Sequence, residues 1–164
     1  MQLGYSLQQA LIYGVLFTGY IFLLMVTFSP RIWGYADYPK AIKGKVPPQT
    51  RREKTIAAIV GVPFFLFALA YPAYSVLALK DRLGGAMTFG NAFVHLLFMV
   101  VSMTIGDLVI LDWFIISKLT PGFVVIPGSE VEDYKDFSNH YWGHLKGTIV
   151  MIVLCAAAAL IVSR

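Results

Sequence analysis

Four side chains in this sequence have the types and spacings that could do chemistry: Asp107, Asp112, His140 and His144. A carboxylate in the middle of a membrane-length apolar helix costs ~2.5–3.5 kcal/mol on insertion scales, so it is kept where it has a partner or a role. His140 and His144 are four residues apart, which on a helix puts both rings on one face, a spacing that suits a divalent metal ion. Two ligands do not complete a metal site, and Asp112 is the residue at matching depth to supply a third. Histidine titrates near neutral pH and a carboxylate can orient it, so Asp112 with His144 also reads as a proton-transfer pair, with Asp107 and His140 beside it. At α-helical period Asp107 and Asp112 fall about 140° apart around their helix. They are therefore not expected to form a paired-carboxylate dyad by themselves. Asp107, about 15 Å below the helix end near Ser117, is expected to take hydrogen bonds from Tyr20 and Tyr71, with Gly106 admitting a neighbouring backbone. Asp112 is about 7.5 Å deep on the same reckoning.

His95, with Asn91 one turn before it, lies near the opposite end of the same run, at the level of Tyr13 and Tyr74. A hydrogen-bonded core histidine is the expectation. Its depth differs from that of His140 and His144 by most of a membrane thickness, which argues against a haem held between them. The sequence has no Gly-rich phosphate loop, no Cys-x-x-Cys, no Gly-x-Ser-x-Gly and no His-Glu-x-x-His, so nucleotide-driven pumps and serine hydrolases are not supported. The single cysteine, Cys155, excludes a disulfide within the chain.

The elements that must position these residues follow from composition. Of 164 residues, 58% are hydrophobic and 13% charged, against roughly 25% charged in an average soluble domain. The expected fold is all-α: a single integral membrane domain, an antiparallel up-down bundle of four helices spanning residues 7–28, 55–79, 89–117 and 141–162. The first run carries no charge before Arg31 and stops at Ser29-Pro30. Pro47-Pro48 precede Thr50 and Glu53, a capping-box pair that marks the second start. Pro63 and Pro72 inside that span are read as curvature, with neighbouring helices satisfying the freed backbone. A short Gly84-Gly85 turn makes the second and third spans antiparallel neighbours, and Ser129 with Glu132 suggests a second capping box before the last span.

Basic residues set the expected orientation. Arg31, Lys40, Lys43, Lys45, Arg51, Arg52, Lys54, Lys118, Lys135 and Lys146 fall on one side, against Lys80, Arg82 and Arg164 on the other, ten to three. The positive-inside rule then puts the two longer loops in the cytoplasm and both termini outside the cell membrane. Lys43, Lys45, Arg51 and Arg52 are candidates for binding anionic headgroups. Membrane lipids, rather than nucleic acid, are the expected partners of this cluster. The acidic stretch from Glu130 to Asp136 is expected to pair with the basic loop and cap the bundle.

The segment Gly106-Asp107-Leu108-Val109-Ile110-Leu111-Asp112-Trp113, then Thr120-Pro121-Gly122-Phe123, Ile126-Pro127-Gly128 and Tyr134-Lys135-Asp136 ahead of His140 and Gly143, resembles a stretch found in small uncharacterised prokaryotic polytopic membrane proteins. The resemblance covers about the last third of the chain and implies a membrane fold without implying an activity.

The leading functional expectation is a cytoplasm-facing polar pocket lined by Asp107, Asp112, His140 and His144. It would bind or act on a lipid-like or isoprenoid-like small molecule, with a divalent metal as the candidate cofactor. A small proton-coupled carrier using Asp107, working as a homo-oligomer, and a non-catalytic subunit or assembly factor of a membrane complex are the alternatives.

Overall fold

Why the chain breaks where it does is a matter of a few polar contacts. The computed structural model describes residues 2–164. Helix α1 (Leu3–Thr27) ends where Phe28 turns extended, and Ser29 caps the short α2 (Pro30–Trp33) by accepting from the Arg31 amide at 3.3 Å. A second short helix, α3 (Lys40–Lys45), follows. Neither was anticipated, because four- and six-residue helices leave no hydrophobic period to read. The capping box at the start of α4 (Arg51–Arg82) is as expected. Thr50 Oγ1 accepts from the Glu53 amide at 3.2 Å, and the Glu53 carboxylate accepts from the Thr50 amide at 2.6 Å. The Arg31 guanidinium joins the same carboxylate and donates to the carbonyls of Pro47 and Pro48 at 3.1 and 3.0 Å, locking the first connection onto the head of α4.

Pro63 and Pro72 both lie within α4. The ring of Pro72 removes the donor that would have served the carbonyl of Ala68. Tyr13 Oη on α1 donates to that carbonyl instead, at 3.2 Å. Tyr20 Oη donates to Val60 O at 3.4 Å and Tyr71 Oη to Gln9 Oε1 at 2.9 Å, so tyrosines line the α1–α4 seam.

After the Gly84-Gly85 turn, α5 (Phe89–Ile105) runs into a π-helical continuation, Gly106–Leu119, and α6 (Ser138–Val162) completes the chain. In total, four helices are long and apolar enough to cross a membrane: α1, α4, α5 with its π continuation, and α6. Contacts at the two ends show that they alternate in direction. At one end Lys80 Nζ donates to Val162 O at 2.7 Å and Arg82 lies over the Tyr5 ring. At the other, Lys45 pairs with Asp133 at 2.6 Å and Asn139 donates to Asp37 O at 3.2 Å.

The α5–π rod is central, packed on α1 and α6, while α4 is peripheral. Small residues make the α1 contact possible: a Cβ at Gly14 would collide with Ser102 Oγ, and one at Gly106 with Thr18 Oγ1. From Gly106 onward the backbone bonds i→i+5, so residues five apart fall closer to one face than they would on an α-helix. The buried positions follow that period. Gly106, Leu111 and Ile116 form one such series, and Asp112 with Ser117 continues the one begun by Asp107. The rod stops at Thr120, whose φ of 49° is left-handed and whose amide still reaches back five residues to Ile115 O at 2.8 Å. Lys135 then donates to Lys118 O at 3.0 Å and Thr120 Oγ1 at 2.7 Å, a cation placed at a helix C-terminus.

Two details depart from expectation. The capping box before the last helix is Glu130 with Asp133, around a 3₁₀ turn over Val131–Tyr134. It is not Ser129 with Glu132, because Ser129 Oγ is engaged by Ile126 O and Tyr134 Oη. His95 is a satisfied core histidine, but its partners are Ser6 Oγ at 2.9 Å and Ser75 Oγ at 3.0 Å, with Tyr5 stacked on the ring, rather than Tyr13 or Tyr74.

The Gly106 contact gives a direct test. Gly106→Val is expected to lower the melting temperature in detergent, since overpacking costs about 1–3 kcal/mol. Gly19→Ala, also in a long helix but with open space at its Cβ, is expected to melt near wild type. Equal melting temperatures for the two variants would be incompatible with the tight α1–α5 seam.

Candidate functional site

Helix α6 builds one wall of the site by simple periodicity. His140, Gly143, His144, Gly147, Thr148 and Met151 recur at helical spacing and all face one cavity. The facing wall is the π segment, carrying Asp107 and Asp112. The cavity holds about 730 Å³ and is roofed by Trp33 to Tyr38 of the first connection. Its polar end gathers the two aspartates, the two histidines, Asn139 and Asp37. The rest is mostly apolar: Ile21, Leu24, Val60, Phe64 and Met103 are typical of its lining, with Thr104 and Thr148 the polar exceptions. A narrower apolar cavity of about 290 Å³, between α4, α5 and α6 toward the chain termini, adjoins it at Met151.

At the polar end the geometry centres on one oxygen. Asp112 Oδ2 lies 3.0 Å from His140 Nδ1 and 2.9 Å from His144 Nε2. His144 Nε2 is also 3.8 Å from Asp107 Oδ2. The potential ligand atoms of Asp107, Asp112 and His144 all lie within 4.8 Å of one another. Asp112 is buried, and the His140 side chain is 9% exposed.

This corrects the angular expectation for the aspartates. Asp107 and Asp112 do not diverge by the α-helical angle. Because the segment bonds i→i+5, it has more residues per turn than an α-helix, so positions five apart come closer in azimuth and both carboxylates converge on His144. The expected tyrosine partners of Asp107 are engaged elsewhere, Tyr20 with Val60 and Tyr71 with Gln9. The structure thus brings together Asp107, Asp112, His140 and His144.

The headgroup candidates separate. Lys45 is committed to Asp133 and Glu130, which raises its ammonium above the usual lysine range and ties the first connection to the third, the loop pairing expected from charge. Lys43 Nζ donates to Ala36 O at 2.6 Å and lies near the Tyr35 ring. Arg51 and Arg52 are exposed and make no ion pair among the described residues.

Sequence reasoning missed Asp37, which enters the cavity wall from the first connection. Desolvation there, and then repulsion from Asp112, push its carboxyl above the ordinary range, partly offset by His140 and Lys43. It also missed Gly143 and Gly147, whose positions in register with the histidines were available to read. The missing side chains open the groove, and neither Cβ position has a neighbour. Comparison with family models, with curated proteins and with solved structures found no match to this chain.

The shared acceptor has a measurable consequence. Asp112→Leu strips two imidazoles of their charged partner, a loss on the order of 1–3 kcal/mol. A clear fall in melting temperature is expected, with Asp37→Asn staying near wild type. Similar melting curves for wild type and Asp112→Leu would rule out the shared hydrogen bonds.

Proposed function

We propose that this chain is a multi-pass protein of the cell membrane that holds a lipid-like or isoprenoid-like amphiphile, polar end against the Asp112–His140–His144 cluster and apolar tail between α4 and α6. In this reading the two long connections face the cytoplasm and the termini lie outside. The observation that carries it is the division within one cavity. Charged groups are confined to the end under the connections, and the lining beyond is apolar apart from Thr104 and Thr148. Pockets for small molecules have this composition, mostly apolar with a few convergent polar groups, and volumes of about 300–1,000 Å³.

Entry from the side fits the packing. α4 touches α6 only sparsely, and the most apolar stretch of α4 has none of its residues buried. An amphiphile could therefore pass between these helices without leaving the bilayer. The exposed Arg51 and Arg52 stand at the head of α4, near the cavity roof, where each cation contributes about 1 kcal/mol toward attracting an anionic surface. Such attraction suits a ligand with a phosphate or carboxylate head.

Native mass spectrometry of protein purified in mild detergent is expected to show a retained amphiphile. Gly143→Leu and Gly147→Leu, which fill the groove where there is space for the added side chain, are expected to reduce that adduct several-fold while the protein stays folded. Wild type that carries no adduct and acquires none from a total lipid extract would sink the proposal. So would full retention in the double variant.

A further inference from the structure

The same cluster has the donor set of a metal centre. We infer that His140 Nδ1, His144 Nε2, Asp112 Oδ2 and Asp107 Oδ2 bind a divalent first-row transition ion of the zinc type. This goes beyond amphiphile binding and does not depend on it.

Geometry is the first argument. Ligands at about 2.0–2.1 Å from one tetrahedral ion lie roughly 3.3–3.4 Å from each other. Three of the six separations, His144 and His140 to Asp112 and His144 to Asp107, are 2.9, 3.0 and 3.8 Å, spread around that value. Asp107, Asp112 and His144 already hold ligand atoms within 4.8 Å of one another; His140, close to Asp112 alone, lies outside that group and joins as fourth ligand by a rotation of its side chain. The histidines are held at i and i+4 on α6, and the aspartates five residues apart on the facing rod, so two rigid elements supply two ligands each.

Charge is the second. Two carboxylates and two neutral imidazoles sum to −2, in a setting where uncompensated charge is expensive. A divalent cation brings the cluster to neutrality. No lysine or arginine pairs with either aspartate among the described residues, so the protein groups at hand to offset this charge are the two imidazoles themselves.

Donor chemistry is the third. Two imidazole nitrogens with two carboxylate oxygens suit zinc and its neighbours better than magnesium or calcium, which prefer all-oxygen shells. Each imidazole would coordinate through its unprotonated nitrogen and keep its proton on the other ring atom. The cavity would bring a ligand's polar end to the ion.

The test uses the tag-free full chain, purified in detergent without chelator and analysed for metals by mass spectrometry. It is then stripped with chelator and titrated with cobalt(II), followed by visible absorption. The expected result is near-stoichiometric metal as isolated, or stoichiometric uptake of cobalt with an intense tetrahedral spectrum. His140→Ala, His144→Ala and Asp112→Asn should each weaken cobalt binding at least tenfold, and Cys155→Ser should leave it unchanged. Circular dichroism reports whether each variant is folded. Folded wild type that neither carries metal nor binds cobalt overturns the inference, leaving a hydrogen-bonded His–Asp–His cluster. Cobalt binding that survives all three folded substitutions overturns it equally.

Discussion

A single carboxylate oxygen organises the polar half of this molecule. Asp112 Oδ2 is met by an imidazole nitrogen from each of two residues one turn apart on α6. In an apolar helix interior an ionised carboxylate is tolerated only with such partners. Satisfying it fixes the register of α6 against the π rod, and with it the wall that His140, Gly143, His144 and Gly147 present. Asp107 is drawn into the same cluster by the change of helical period, so the site is a property of backbone geometry as much as of residue choice.

That change of period also marks the limit of what could be read from letters. The four long helices were legible because each is a predominantly apolar run, the first two without a charge, bounded by recognisable punctuation: Ser29-Pro30, the Thr50–Glu53 box, and Gly84-Gly85. The four site residues were legible as types. Their mutual position was not, because an α-helical wheel was applied where the backbone bonds i→i+5. A trace of the longer period is nevertheless present. Gly106, Leu111 and Ile116 place small and apolar residues at a spacing of five, and Asp107, Asp112 and Ser117 repeat polar residues at the same spacing. Depth along a helix, which a sequence supplies well, says nothing of azimuth. Hence Tyr20 and Tyr71, at the right level for Asp107, turned out to serve α4 and α1.

Basic residues near the connections carry more than one duty. Arg31 clamps the head of α4, Lys45 bridges the first and third connections, and Lys135 caps the π rod. Counting all of them as one surface charge overstates what is free to meet an anionic partner. Exposed cations on that side with no ion pair among the described residues include Lys40, Arg51, Arg52 and Lys54, three of them in the first turn of α4. The tyrosine pair Tyr38 and Tyr134 completes the cap from beneath, with Tyr38 donating to Val124 O at 3.0 Å and Tyr134 accepting from the Ile126 amide at 2.9 Å. The roof of the cavity is thus held by buried hydrogen bonds as well as surface charge.

The asymmetry of α4 follows from where its hydrogen bonds go. On the α1 side it is tied at three levels, by Tyr20 to Val60, Tyr13 to Ala68, and Tyr71 to Gln9. The Tyr13 bond compensates the donor that Pro72 removes, so it is expensive to break. On the α6 side, Lys80 to Val162 ties only the last turn, at the end away from the cluster. In the bilayer placement proposed above, motion that parts α4 from α6 about the α1 seam would therefore disturb apolar surface, which lipid can cover, and spare backbone groups, which lipid cannot satisfy. Such a motion opens the cavity along its hydrocarbon side and leaves the Asp112–His140–His144 cluster, built on α6 and the π rod, undisturbed.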